Sequence, residues 1–210
     1  MAPRSRPAAG PGTGSHPDER PFPIAFFARP VEVVARELLG ARLVSTVGGV
    51  LTSGMIVETE AYHGLDDPAS HAATRTGRTA RNAAMFGPPG RAYVYRIYGM
   101  HWCVNVVTGA HGDPQAVLLR ALDPLVGQEA MHSRRGRAAG LASGPGRLCQ
   151  ALGITGALYG HDLRRSPLEV RLGWPVPDER VGVSGRIGVK AAADWPHRFF
   201  VLGNPAVSGR

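Results

Sequence analysis

Two glutamates one residue apart, inside an otherwise apolar stretch, are the first residues of this 210-residue chain that could do chemistry. They stand in Val57-Glu58-Thr59-Glu60-Ala61-Tyr62, toward the end of an extended run from Val50 to Tyr62. A carboxylate in a buried strand is costly unless it is paired or held in a solvated site. Strand alternation puts Glu58, Glu60 and Tyr62 on one face. Two carboxylates held close can drive one proton affinity up, which suits acid–base work. The same pattern also suits an exposed edge strand with solvated acids, and the fragment alone does not choose.

A second group of interest is aromatic. Ala92–Ile97 and Trp102–Thr108 are strand-like runs joined around Tyr98-Gly99-Met100-His101, a hairpin pattern. Tyr93, Tyr95, Tyr98 and Trp102 could be sheet packing. Tyr98, beside the Gly99 turn, has least access to a core, and an aromatic at a hairpin tip can wedge between bases. Two registers are open. A two-residue Gly99-Met100 turn places Tyr95 and Asn105 on opposite faces, whereas a three-residue Tyr98-Gly99-Met100 loop places them on the same face.

Charge points the same way. The formal net charge is +8 and the pI about 10.5. Residues 1–22 contribute only +1, so +7 belongs to the remainder. A basic surface fits a polyanion such as double-stranded DNA, because neutralising phosphates releases counterions. The abundance of Arg, Ala, Gly and Pro, with Lys190 the only lysine, also fits a purely compositional origin.

These residues need elements to hold them. The length suits one domain of residues 23–210 behind a disordered tail of residues 1–22, which is poor in large apolar side chains. Helices are expected from Val31 to Leu39 after Pro30, over Ala80–Phe86, over Pro124–Arg135, and from Ser143-Gly144-Pro145-Gly146 through Leu152; Asp66-Asp67-Pro68 could start a short one. Further strands are expected at Arg42–Ser45, Ala116–Leu122, Leu168–Leu172, Arg186–Val189 and Phe199–Leu202. The mixture predicts an α+β fold, a single domain with a mostly antiparallel, curved β-sheet, surrounding helices and a protruding β-hairpin. Cys103 and Cys149 form no CxxC and read as reduced core thiols. No apolar run spans a bilayer and no hydrophobic signal core is seen, so no membrane partner and a cytoplasmic location are expected. His63, His71, His101 and Glu60 lack a tight metal-ligand spacing, so no metal and no cofactor are expected.

Several longer motifs resemble those of the alkyladenine (3-methyladenine) DNA glycosylase family. They are Ile56–Tyr62, Asp67-Pro68-Ala69-Ser70-His71, Arg81-Asn82 with Met85-Phe86, Tyr93–Met100, Cys103-Val104-Asn105, Val117–Leu122, Ser143-Gly144-Pro145 and Leu148–Leu152. Together they run in the family's order over about residues 24–205. The resemblance implies base-excision repair: a damaged purine of the 3-methyladenine, 7-methylguanine, hypoxanthine or ethenoadenine class is flipped from the duplex and hydrolysed from its sugar. It implies that Glu60 is the general base for water and that Arg120 contacts the extrahelical nucleotide. It implies that Tyr62 stacks on one face of the base and His71 and Tyr95 on the other, that Asn105 crowds the amino group of guanine, and that Tyr98 fills the gap left in the duplex. Met100, Arg147 and Asn204 are candidates for the DNA backbone; for Arg147 the free N–H groups at the Ser143–Gly146 helix start would make a phosphate seat. His101 and Trp102 depart from the aromatics expected after the wedge, and the loop after Asn105 looks longer than the family's. A lyase would need an amine nucleophile, and the only lysine lies in a late Gly/Ala-rich segment, so a monofunctional, monomeric hydrolase is expected. The rival is a non-catalytic DNA-bending protein that uses Tyr98 as its wedge.

Overall fold

The computed structural model describes residues 20–70, 77–136 and 139–209. In chain order its helices are α1 (Ile24–Phe27), α2 (Val31–Glu37), α3 (Gln128–Arg135) and α4 (Pro145–Leu152). Its strands are β1 (Arg42–Ser45), β2 (Thr52–Tyr62), β3 (Ala92–Ile97), β4 (His101–Thr108), β5 (Gln115–Val126), β6 (Arg164–Arg165), β7 (Leu168–Arg171), β8 (Val181–Ser184) and β9 (Arg198–Val201). All belong to one curled antiparallel sheet in which seven run in the order β3-β4-β5-β2-β1-β7-β6, while β9 branches from β2 and carries β8. This is the expected α+β class. β2 is the hub: β5 lies along one edge, while the other edge pairs first with β1 and then, at Glu58–Glu60, with β9.

Alternation separates two jobs. On β3, β4 and β5, Val94, Val104, Val106, Val117 and Leu119 enter the main core with α2 and α4. Their neighbours Tyr93, Tyr95, Cys103, Asn105, Ala116 and Leu118 point to the other face, where a smaller cluster includes Met85, Tyr93 and Val107. On β2, Ala61 joins the main core and Thr59 Oγ1 donates to Ala35 O of α2 at 2.8 Å, leaving Glu58, Glu60 and Tyr62 for the opposite face. Three irregularities interrupt the β2–β5 pairing, and two of them flank Glu58: Ile56 faces Leu122 and Glu58 faces Ala121, skipping Val57, and Thr59 then faces Leu119, skipping Arg120. The latter bulge sets Arg120 between the two glutamates. Bulges re-aim a side chain in this way next to functional sites.

The hairpin takes the three-residue loop. Ile97 pairs with His101 and Tyr93 with Asn105, so Tyr93, Tyr95, Cys103 and Asn105 share a face. Tyr98 (φ 52°) and Gly99 (φ 67°) adopt left-handed backbone, and Met100 N donates to Ile97 O at 3.1 Å.

Four local expectations change. Pro124–Arg135 is not one helix: β5 continues to Val126, and Gly127 (φ 73°) breaks the chain before α3 begins. Arg186–Val189 is not a strand. The hairpin partner of β9 is β8, and the chain leaves the sheet at Gly185, where a Cβ would lie 2.1 Å from Ala193 O. Ala80–Phe86 shrinks to a 3₁₀ turn at Ala83–Phe86, because the Asn82 side chain satisfies Thr79 N and Gly77 O. Asp66–Pro68 forms a turn instead of a helix, with Asp67 Oδ1 accepting from Ala69 N at 2.9 Å. Pro30 caps α2, which ends ahead of Gly40. Gly40 has φ 87°, and a Cβ there would lie 1.8 Å from Trp174 O. At the other end of the chain order, Arg20–Phe22 already dock: Leu172 N donates to Arg20 O at 2.9 Å and Phe22 packs against Phe26. Cys103 and Cys149 are free and buried.

Candidate active site

The face opposite the main core frames a cavity of about 500 Å³. Tyr62, Tyr95, Tyr98, Asn105 and Arg120 all line it, as do Pro68–Ser70 of the Asp67 turn and residues 187–191 of the loop after β8. Five of the residues singled out from sequence are therefore brought together. His71 lies outside the described residues.

The floor is built around Arg120. Its Nε donates to Glu58 Oε1 at 2.9 Å and its Nη1 lies 3.1 Å from Glu60 Oε1. Burial opposes the charge of this guanidinium, but Glu60 and Glu58 more than offset it and hold it protonated. Glu60 has no exposed surface. Its Oε1 also accepts from Ile187 N at 2.7 Å, and its Oε2 accepts from the Tyr62 hydroxyl at 2.9 Å. Each carboxylate oxygen has two lone pairs. The Ile187 N–H bond and the Arg120 ion pair hold Oε1, whereas Oε2 accepts from Tyr62 alone and keeps one lone pair for a further donor. Tyr62 remains a donor because burial and then the adjacent Glu60 push its hydroxyl well above the ordinary phenol value.

Glu58 is built differently. Oε1 accepts from Arg120 Nε, from Arg198 Nε at 2.7 Å and from Ser208 Oγ at 2.9 Å; Oε2 accepts from Ser208 N at 2.7 Å. Burial alone would raise this carboxyl, but Ser208, Arg120 and Arg198 together hold it below its ordinary value. It is a closed ion nest.

Aromatic surfaces form the walls. Tyr93 and Tyr95 stack at 5.3 Å between ring centres. Burial pushes Tyr95 up and Tyr93 up to about 12, so both stay neutral phenols. Asn105 is buried, and its Nδ2 donates to Tyr93 O at 2.9 Å, which fixes the amide orientation. Tyr98 and Met100 are exposed at the hairpin tip, 82% and 68%. Pro145 at the start of α4 reaches the cavity, and Gly146 packs on His101 at the base of the tip; a Cβ there would meet His101 Cβ at 3.0 Å. The exposed Arg147 donates to Ser143 O at 3.4 Å. Asn204 is occupied in a turn, donating to Asp123 Oδ2 at 3.0 Å and accepting from Ala206 N at 2.8 Å. Lys190, set aside on sequence grounds, lies on the cavity rim and is exposed.

Residues that sequence reasoning missed complete the site. Arg186 is buried, with Nη2 donating to Asp67 Oδ1 at 2.9 Å and Nη1 to Ala61 O at 3.0 Å. Its guanidinium lies 4.7 Å from the Tyr62 ring centre, backing that ring against the cavity. Burial would raise Asp67, but the Arg186 bonds and the Ala69 N–H hold it low. The two are far apart in sequence, and the only local signal was Asp67 itself, a carboxylate in a motif with no cationic neighbour.

Comparison with known proteins accords with this geometry. The family model for methylpurine-DNA glycosylase matches residues 25–205. A protein of Methanoculleus marisnigri with the provisional name 3-methyladenine DNA glycosylase is 51% identical over 194 residues, 90% of this chain and 99% of its own. A Rhodopseudomonas palustris HaA2 protein of the same name is 54% identical over 186 residues, 87% of this chain and 88% of its own. One from Carboxydothermus hydrogenoformans is 49% identical over 190 residues, covering 89% and 98%. With most of its length matched by the family model and by relatives at about half identity, the chain belongs to the methylpurine-DNA glycosylase family.

Proposed function

We propose that this protein is a base-excision repair DNA glycosylase that flips a damaged purine from duplex DNA into the cavity and hydrolyses its N-glycosidic bond. The carrying observation is Glu60, a buried carboxylate beneath an aromatic cavity with one lone pair of Oε2 left for water.

Extrusion costs a few kcal/mol, least for damaged or mismatched bases. Stacking between Tyr62 and Tyr95 returns about 1–3 kcal/mol per base. Electron-rich rings also favour a cationic alkylated purine, by about 0.5–2 kcal/mol. As the bond from C1′ to the purine nitrogen breaks, the electron pair leaves with the base and the sugar gains oxocarbenium character. Glu60 takes a proton from the water whose oxygen attacks C1′. Arg120 and the Ile187 N–H hold the carboxylate in place, and Tyr62 donates to it. The products are free base and an abasic site. A cationic 3-methyladenine or 7-methylguanine leaves as a neutral base, whereas hypoxanthine or ethenoadenine leaves as an anion that takes a proton from solvent; recognition of all four rests on stacking.

The reaction is monofunctional in this reading. Lys190 is exposed on the rim, without the desolvated surroundings that activate an amine nucleophile. DNA binding is electrostatic, with the +7 outside the first 22 residues engaging phosphates, and a monomer suffices.

The test is an excision panel on duplex oligonucleotides that each carry one lesion, followed by release of free base. A DNA-bending protein without chemistry releases none, and that result overturns the reading. Borohydride trapping of a covalent protein–DNA adduct through Lys190 overturns the monofunctional mechanism alone.

A further inference from the structure

The stretch from Tyr62 to Ser70 lines two cavities. Tyr62 and Pro68–Ser70 face the aromatic one, while His63–Asp66 face a second of about 400 Å³. At that second cavity three side chains from separate elements converge: Glu32 in the first turn of α2, His63 just past β2, and His197 just before β9. Each offers one ligand atom, and these atoms all lie within 4.8 Å of one another. We propose that Glu32, His63 and His197 form a divalent transition-metal site, of the zinc class, that braces the turn forming one wall of the base cavity.

Two buried ring nitrogens need explaining. His63 Nε2 and His197 Nδ1 have no aligned hydrogen-bond partner among the described residues. His63 Nε2 lies 2.6 Å from Glu32 Oε1, but the contact lacks hydrogen-bond alignment. An unsatisfied buried polar atom is costly, and a shared cation removes that cost for all three groups together. Two imidazoles and one carboxylate suit zinc, cobalt or nickel, with water as a fourth ligand. At metal–ligand bonds near 2.0–2.2 Å, tetrahedral ligand atoms lie roughly 3.4 Å apart, so the half-exposed Glu32 side chain needs only a small shift.

The surroundings are those of an oriented site. His63 N donates to Asp67 Oδ2 at 3.1 Å, and Ala61 N donates to His197 O at 2.8 Å. The His63 and His197 rings lie 4.8 Å apart, and Trp195 shields His197 edge-on at 5.4 Å. Asp66 and Asp113 on the same cavity add negative charge in a basic protein. Among the described residues this is the only such group of three. It is also not the group weighed from sequence and set aside for want of ligand spacing, which was His63 with His71, His101 and Glu60, and it departs from the expectation of no metal. Glu60 is engaged elsewhere, so the bound ion takes no part in the chemical step.

The probe is zinc itself, titrated calorimetrically into the full chain after treatment with EDTA and desalting, with cobalt as an optical reporter of four-coordination. The expected result is about one ion per chain at this site and a melting temperature that rises with zinc concentration. His63→Ala and His197→Ala should each weaken zinc by at least about a hundredfold and abolish the four-coordinate cobalt spectrum. Glu32→Gln, on the exposed side of a helix, keeps the fold and should weaken zinc about tenfold or more; it decides the matter if a histidine variant fails to fold. Absence of zinc binding overturns the proposal, as does parental affinity in Glu32→Gln or in both folded histidine variants. None of these readouts depends on base excision, so failure here leaves the glycosylase reading intact, and the reverse also holds.

Discussion

Glu58 and Glu60 share a strand, a face, full burial and a contact with Arg120, yet their surroundings are opposite in kind. Glu58 is closed over by Arg198 and by the chain near Ser208, with donors on both oxygens. Glu60 is held by groups that themselves border the cavity: Tyr62, Ile187 and Arg120. A carboxylate closed over by buried partners stabilises the structure, whereas one held by groups that line a cavity can act on a molecule that enters it. Arg120 joins the two, so the closed nest positions the arginine that in turn orients the open carboxylate.

The sharpest way to break this contrast is Glu60→Gln. Loss of the base should lower single-turnover excision by about 10²–10⁴, the usual worth of general-base catalysis. Binding to lesion DNA should persist or tighten slightly, because one negative charge near phosphates is removed. The check is base release under enzyme excess, with affinity measured separately on a non-hydrolysable lesion analogue. Near-parental excision would mean that this strand is not the catalytic element.

Glu58→Gln should fail in the other direction. It leaves Arg120 and Arg198 buried without their shared counter-charge, which costs about 3 kcal/mol, the low end for breaking a buried pair, because Gln retains some hydrogen bonds. The effect should depend on pH. A carboxyl held below its ordinary 4.5 contributes stability fully above that value and loses it as pH falls through the lower folded value. The gap between parent and variant in denaturant midpoint should therefore be full at neutral pH and narrow below about 4.5. A gap that stays constant into acid would show that Glu58 carries no charge-dependent stability.

How much of this contrast was legible beforehand is set by distance along the chain. Alternation alone gave the shared face of Glu58, Glu60 and Tyr62, and the family resemblance chose Glu60 over Glu58. What distinguishes the two physically lies far away: Ser208 and Arg198 reach Glu58, and Ile187 reaches Glu60, across well over a hundred residues. No periodicity links such positions. The same limit hid Arg186 behind Tyr62 and misread its segment as a strand, because its Gly-rich pattern carries no record of the Asp67 it pairs with. Two sheet-level features did follow from local pattern: the α+β class and the aromatic hairpin, whose loop register stayed open until Tyr93 was seen opposite Asn105. The Arg120 bulge had no local mark, since Val117–Leu122 reads as uninterrupted strand.

A smaller effect is expected at Asn105, which tests the wall of the cavity and not its floor. Asn105→Ala removes one buried hydrogen bond to Tyr93 O and should cost about 1 kcal/mol of stability. Removing the amide also makes room where a guanine amino group would sit. Excision of unmodified guanine should rise, by about tenfold if one unfavourable contact of 1.4 kcal/mol is relieved, while hypoxanthine excision changes little. Paired single-turnover rates on the two substrates decide it, and an unchanged ratio removes Asn105 from specificity.

The smallest effect on the fold should come from Tyr98, which is as exposed as Glu60 is buried. Its left-handed backbone at φ 52° is tolerated in a three-residue hairpin loop, and its ring contributes little to any core. Tyr98→Asn, a residue that accepts such backbone more readily than most, should leave the melting temperature nearly unchanged. What it should lose is the filling of the gap opened when a base leaves the duplex, so the flipped population falls. That loss weighs most where the lesion pairs well. Excision of hypoxanthine from a stable pair should drop by about tenfold, and excision of a poorly paired, cationic 3-methyladenine by much less, because less unpairing energy is needed there. Single-turnover rates on the two lesions, with a fluorescent base analogue reporting flipping, separate this from the Glu60 effect, which lowers both rates alike. If Tyr98→Asn lowers both rates equally, or unfolds the domain, then the tip is part of the catalytic framework and the division between an open floor and an exposed wedge is wrong.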